Sequence, residues 1–166
     1  MSATFDEFYA AHFGMLVVQL RAAMGGDLTD AQDVVQEAFC RSWDHWDKLT
    51  SYDDPIAWVR RVAWNIAFSR WRRLRTARKY VHHLRPEPVA GPGPDRVALS
   101  AALARLPLDQ RRAVILYYLG DLPISAIAQE CDVPESTIRS RLHRARAALL
   151  QHLNDPEEEM FCGTVR

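Results

Sequence analysis

The chain has 166 residues, 48% hydrophobic and 25% charged, with a formal net charge of +0 at pH 7. That composition suits a globular protein of one ordinary domain or two small helical ones, and argues against a disordered chain. No apolar run approaches the roughly 18–20 residues that cross a bilayer and no signal-peptide pattern opens the chain, so the expectation is a cytoplasmic protein.

The periodicity is helical nearly throughout, with no alternating run of strand length. A first helix is predicted from about Thr4 to Met24, with Phe5, Phe8, Tyr9, His12, Leu16 and Leu20 near one face and Gly25-Gly26 ending it. Thr29 or Asp30 is the expected cap of a second helix reaching about Trp46, with Val34, Val35, Ala38, Phe39 and Ser42 at helical spacing. A polar loop from Lys48 to Asp54 then precedes Pro55, well placed in the first turn of a third helix to about Lys79. Arg85 to Pro94 holds four of the nine prolines and two glycines, and reads as a semi-rigid linker. Beyond it, helices are predicted from Asp95 to Leu106-Pro107, Leu108 to Leu119, Ile124 to Cys131 and Glu135 to Leu153. The expected division is 1–80, a linker at 81–96, a second domain at 97–153 and an acidic tail at 154–166.

The zero net charge conceals segregation. Asp27 to Asp54 holds eight acids against Arg41 and Lys48, whereas Arg60 to Lys79 holds eight bases and no acid. A second base-only stretch runs from Arg139 to Arg146. Phosphates respond to local potential, so cancellation of the total does not exclude nucleic acid. Cys40, Cys131 and Cys162 are scattered, with no C-x-x-C pair and no clustered histidine ligands. Neither a disulfide framework, a metal site nor a cofactor is expected. There is no phosphate-cradling glycine loop, nucleophile elbow or H-E-x-x-H, so the chain is not read as an enzyme.

The most specific pattern is Pro123 to Leu149. A DNA-reading helix-turn-helix needs a scaffold helix, a tight turn and a second helix whose free face enters the major groove. Ala128 is small enough for the helix crossing, Val133 can plug the turn, and Ile138, ten residues after Ala128, faces back into the core. Ile138, Leu142, Ala145 and Leu149 form one apolar stripe; Arg139, His143 and Arg146 point away from it. The turn position that usually carries Gly holds Asp132, which tolerates the left-handed conformation better than most residues.

Ala102 to Leu150 resembles the promoter-reading C-terminal domain of extracytoplasmic-function sigma factors. The resemblance is carried by Leu106, Pro107 and Arg111, by Ile127, Ala128, Val133 and Pro134, and by the run T-I-R-S-R-L-H-R-A-R. Ser136 stands where that family commonly has Gly. Asp30 to Trp43 resembles the family helix that docks on the polymerase clamp, and Pro55 to Arg73 the helix for the promoter element nearest the start site.

The resemblance implies an all-α fold of two small helical domains, a region 2-like bundle and a region 4-like helix-turn-helix, joined by the Pro/Gly-rich linker. It implies core RNA polymerase and promoter DNA as partners, with an anti-sigma factor a further candidate. Asp33, Gln36 and Glu37 are the expected polymerase-docking residues. Tyr52, Arg60, Arg61, Trp64, Asn65, Arg72 and Arg73 are those for the proximal element, where arginines and aromatics suit phosphates and unpaired bases. On a helical wheel Arg60, Arg61, Trp64, Phe68, Trp71 and Arg75 gather on a different side from Ile56, Val59, Val62, Ala63 and Ile66, although the aromatics suit a core equally well. Ser136, Thr137, Arg139, Ser140, Arg141, His143 and Arg144 are expected at the distal element. Two other classes compete: a stand-alone helix-turn-helix regulator, which would dimerise on a palindrome, and a protein-sequestering factor without DNA affinity.

Overall fold

The computed structural model describes residues 4–25, 27–78 and 94–154. Among the described residues there are eight helices and no strand: α1 (Phe5–Ala23), α2 (Leu28–Trp43), α3 (Trp46–Leu49), α4 (Pro55–Arg78), α5 (Pro94–Arg105), α6 (Leu108–Tyr118), α7 (Ile124–Cys131) and α8 (Glu135–Asn154). Residues 81–93 of the expected linker and 155–166 of the expected tail lie outside the described residues. Residues 94–96, expected as linker, are already helical.

Local chemistry sets the helix ends. Thr4 and Glu7 form a capping box on α1, the Glu7 N–H donating to Thr4 Oγ1 at 3.3 Å and the Thr4 N–H to Glu7 Oε2 at 2.8 Å. At the other end Gly25 takes φ 85°, a conformation open to glycine. The cap of α2 is Asp27, whose Oδ1 accepts from the Asp30 N–H at 3.0 Å, rather than the expected Thr29 or Asp30. The polar loop expected from Lys48 begins instead inside α3. That short turn forms because Leu49 is buried at 1% exposure while Trp46 lays its ring 5.0 Å from Phe8 and 5.2 Å from Phe5.

In the N-terminal half α1, α2 and α4 pack on one another. Phe39 of α2 is the hub: its ring meets Tyr9 at 4.9 Å, Phe8 at 5.9 Å, and Phe5 and Phe13 at 6.3 Å each. Such pairs add about 0.5–1.5 kcal/mol each beyond their buried area. In the C-terminal half α8 packs against α5, α6 and α7. Ile138, Leu142 and Ala145 are all but fully buried, and Leu149 is half-buried, as the apolar stripe requires.

The halves meet where α1 touches α5 and α6, and one hydrophobic cluster takes residues from both. Arg111 staples this seam. Its guanidinium donates to the carbonyls of Ala23 (2.7 Å), Ala104 (2.6 Å) and Leu106 (3.1 Å), joining the C-terminal ends of α1 and α5. These carbonyls have no partners within their own helices, so a buried cation suits them. Burial still pulls the Arg111 pKa down from its usual value. Alongside, α6 runs into Gly120, where a Cβ would lie 2.6 Å from the Leu116 carbonyl oxygen and 3.2 Å from Gln19 Nε2.

The turn between α7 and α8 is closed by Asp132 in the left-handed region, φ 54° and ψ 50°, as the sequence predicts. The Val133 N–H donates to the Ala128 carbonyl at 3.1 Å across it. A β-branched residue does not fit this conformation. Asp132→Val is expected to destabilise the protein by about 1–2 kcal/mol, whereas Asp132→Gly should stay within about 1 kcal/mol of the parent. Urea denaturation followed by circular dichroism measures both; equal losses would show that the turn conformation carries no cost.

Candidate nucleic-acid interface

The α7–α8 pair fixes which side of α8 is free. Ala128, at 6% exposure, lets the helices cross closely, and Ile138, at 0%, turns the opposite face outward. That outer face carries Ser136, Arg139, His143 and Arg144, all exposed, with Thr137 and Ser140 half-buried at its edge. Arg139 Nη2 lies 2.8 Å from Glu135 Oε2, an exposed i,i+4 pair of little worth that leaves the guanidinium free to exchange partners. Arg141 is placed differently from the others. Its Nε is 3.1 Å from Asp109 Oδ2 and its side chain is only 21% exposed, so it turns toward α6. Arg146 donates from Nε to the Tyr118 hydroxyl at 2.7 Å, its guanidinium 5.7 Å from that ring's centroid.

On α4 the expected proximal-element residues separate into two stripes. Arg61, Asn65, Arg72 and Arg73 are exposed, and Tyr52, in the turn before the helix, is 40% exposed. Arg60, Trp64 and Phe68, at i, i+4 and i+8, form the other stripe, and α6 and α7 cover it. Trp64 is fully buried and Arg60 is 6% exposed, so the wheel that grouped them with Arg61 is divided here. The reason is that α4 has partners on two sides: α1 and α2 on its apolar face, and the C-terminal half on the Arg60 stripe.

The group that makes this cover is Glu130 of α7, which sequence reasoning missed. Its Oε2 is 2.6 Å from Arg60 Nε, its Oε1 3.4 Å from Arg112 Nη2, and its side chain is 3% exposed. Arg61 Nη2 donates to the neighbouring Gln129 carbonyl at 3.1 Å. The Arg112 guanidinium lies 5.5 Å from the Trp64 ring centroid and 5.7 Å from that of Phe68. A pairing seventy residues apart has no local signature. The one available signal was an acid at an inward position of the scaffold helix.

On α2, Asp33 and Gln36 are exposed as expected. Glu37 is half-buried and already engaged, with Oε1 2.6 Å from Arg41 Nη2 and Oε2 3.0 Å from Arg70 Nη2, so it also ties α2 to α4. Beside Gln36 an open groove is lined by Phe5, Tyr9, Cys40 and Trp43, the last 60% exposed. Trp43 and Cys40 were not among the expected docking residues. Cys40 and Cys131 are free thiols, and burial pushes the Cys131 pKa up, away from reactivity. No described helix is long and apolar enough to cross a membrane.

The family model for Sigma-70 region 2 matches residues 10–77, and that for Sigma-70 region 4 matches residues 96–149. The ECF RNA polymerase sigma factor SigC of Mycobacterium tuberculosis is 31% identical over 130 residues, covering 75% of this chain and 70% of that protein. SigW of Bacillus subtilis, likewise an ECF RNA polymerase sigma factor, is 26% identical over 160 residues, covering 84% and 83%. Among solved structures, the sigma factor RpoE in complex with the anti-sigma factor NepR from Bartonella quintana has a similar fold. Its TM-score is 0.76 at 24% identity, over 90% of this chain and 96% of that one. CnrH, solved in complex with the cytosolic domain of CnrY, follows at TM-score 0.61 and 23% identity, over 90% and 87%. Two regions matched in order along one all-helical chain, with relatives alike across most of both lengths, place this chain in the ECF family of RNA polymerase sigma factors.

Proposed function

We propose that this chain acts in the cytoplasm as an alternative sigma factor that joins core RNA polymerase, directs it to specific promoters and helps to open the DNA at the start site. The observation that carries the reading is the α7–α8 unit, whose apolar stripe is buried while Ser136, Arg139 and His143 stand free on one face. An exposed basic face on a helix held by a tight turn is what entry into the major groove requires. In this reading the first domain, 1–80, docks on polymerase through α2 and meets the proximal element through Tyr52 and the α4 residues Arg60, Arg61, Trp64, Asn65, Arg72 and Arg73. The second domain, 97–153, reads the distal element as duplex. An anti-sigma partner belongs to the same reading, since the RpoE relative is solved with one. Run-off transcription with purified core polymerase on a panel of promoters tests it. Promoter-specific transcripts are expected; homodimeric binding to a palindrome without polymerase would favour a stand-alone regulator instead.

Docking through α2 separates the roles of two acids. Asp33→Arg combined with Gln36→Ala should abolish co-purification with core polymerase while leaving thermal stability within about 0.5 kcal/mol, because both side chains are exposed. Glu37→Gln should also cost up to about 1 kcal/mol of stability, because it loosens the pair to Arg70. Pull-down and thermal melting of each variant check this. Full co-purification of the double variant would remove α2 from the docking surface.

Two arginines of α8 take different parts in this reading, Arg139 exposed and Arg141 turned toward Asp109. In the holoenzyme, Arg139→Ala is expected to cost on the order of 1–3 kcal/mol and to relax preference at particular bases of the distal element. Arg141→Ala should leave base preference unchanged, because its guanidinium is held by Asp109. A binding series on single-base promoter variants checks both, and sequence-blind losses for Arg139→Ala would reduce α8 to a phosphate clamp.

A further inference from the structure

We propose that residues 155–166 fold back along α8 as an internal competitor of DNA, with Glu157, Glu158 and Glu159 against Arg146 and His143, and with Met160 and Phe161 covering Tyr118 and Leu150. The proposal rests on the reading of α8 as the distal-element helix. Arg139, His143, Arg146, Leu150 and Leu153 follow one another at i, i+4, i+7, i+11 and i+14, so they form a single ridge of α8. All five are exposed, Leu150 at 63% and Leu153 at 47%. The ridge begins basic, inside the face read as meeting DNA, and ends apolar. Tyr118, 55% exposed, widens the apolar end, because its hydroxyl accepts from Arg146 Nε at 2.7 Å.

The tail carries the complementary pattern. Its sequence places Asp155, Glu157, Glu158 and Glu159 directly after α8, and Met160 and Phe161 directly after those. Acids at the C-terminal end of a helix face its negative pole, which disfavours them there and favours them against cations upstream. Such cations are available. Arg146 bonds a neutral hydroxyl, and Arg139 holds Glu135 in an exposed i,i+4 pair that exchanges at little cost. Reach is sufficient: Arg146 lies about 12 Å back along the helix from Asn154, whereas Glu159 can extend about 17 Å beyond it and Phe161 about 23 Å. Pro156 disfavours a continued helix at Asp155, just where a turn back has to begin. A tether this short holds its acids near the ridge at an effective concentration on the order of millimolar. Carboxylates compete for phosphate contacts, so the tail suppresses sequence-blind binding and leaves base edges to be read once DNA has displaced it.

The full chain tests this with two readouts. A nitroxide on Cys162, in a chain carrying Cys40→Ser and Cys131→Ala, is expected to broaden the amide signals of residues 143–153 and of Tyr118. Signals of α2 should stay unchanged. A duplex of random sequence should bind about fivefold more tightly when Glu157→Gln, Glu158→Gln and Glu159→Gln are combined, with a salt dependence steeper by about one counterion. Met160→Ser with Phe161→Ser leaves the charge untouched, so it separates docking from long-range repulsion; a gain of about twofold in the same assay is expected. An unbroadened α8, or a gain from the glutamine variant with none from the serine variant, overturns the docking. Broadening with no gain from either variant overturns the competition. The nitroxide readout uses neither DNA nor promoter, so it succeeds or fails apart from the reading of α8. Sequence-blind losses for Arg139→Ala in the holoenzyme would overturn that reading alone.

Discussion

A carboxylate with 3% of its side chain exposed cannot sit between two helical bundles unless cations surround it, and at Glu130 two do. Desolvating an unpaired carboxylate costs several kcal/mol, so Glu130 and Arg60 are tolerable in the seam only together. Once they pair, much else follows. Arg112 is drawn beside the pair and over Trp64, Trp64 loses all contact with solvent, and α7 is held against the side of α4 that its own domain leaves bare. Apolar contact between α1 and α6 and the Arg111 staple give the halves an adhesive surface, but neither fixes which face of α4 is covered. The ion pair does.

Elements governed by local chemistry were legible in the sequence. Alternation of buried and free positions on α8, the left-handed Asp132, the end of α1 at Gly25 and the Pro55 start of α4 each depend on a few neighbouring residues, and each stands where expected. The cap of α2 was misplaced because Asp27, Thr29 and Asp30 are all competent caps within four residues. The turn at α3 was missed because its reason for being helical is burial against Phe5 and Phe8, nearly forty residues away in sequence. Trp64 could not be assigned for the same reason: an Arg-flanked aromatic reads alike whether its cover is DNA, solvent or the other domain. Arg141, Glu37 and Arg146 look like free charges in one dimension, and each is claimed by a partner that only the fold brings near.

Arg111 illustrates how a family motif acquires a physical meaning. In the sequence it is the last letter of a spaced pattern with Leu106 and Pro107. In the structure it gathers the unpartnered carbonyls at the ends of two helices, one from each domain. A planar guanidinium with five donors reaches three acceptors at once, which a lysine in the same place would not do with equal geometry. Residues 106 and 107 end α5 and open α6, so the acceptors and the donor are brought together by the same short corner.

The distribution of free and covered faces also orders the events of binding. Asp33, Gln36 and the exposed ring of Trp43 lie on α2, away from the Arg60 stripe, and they are accessible while the domains are closed. A partner that recognises α2 can therefore dock with the seam intact. Docking alone would not part the domains, because a ligand shifts an equilibrium only by its difference in affinity for the two states. The outer face of α8 is exposed in the same arrangement, whereas Arg60 and Trp64 are buried against the second half.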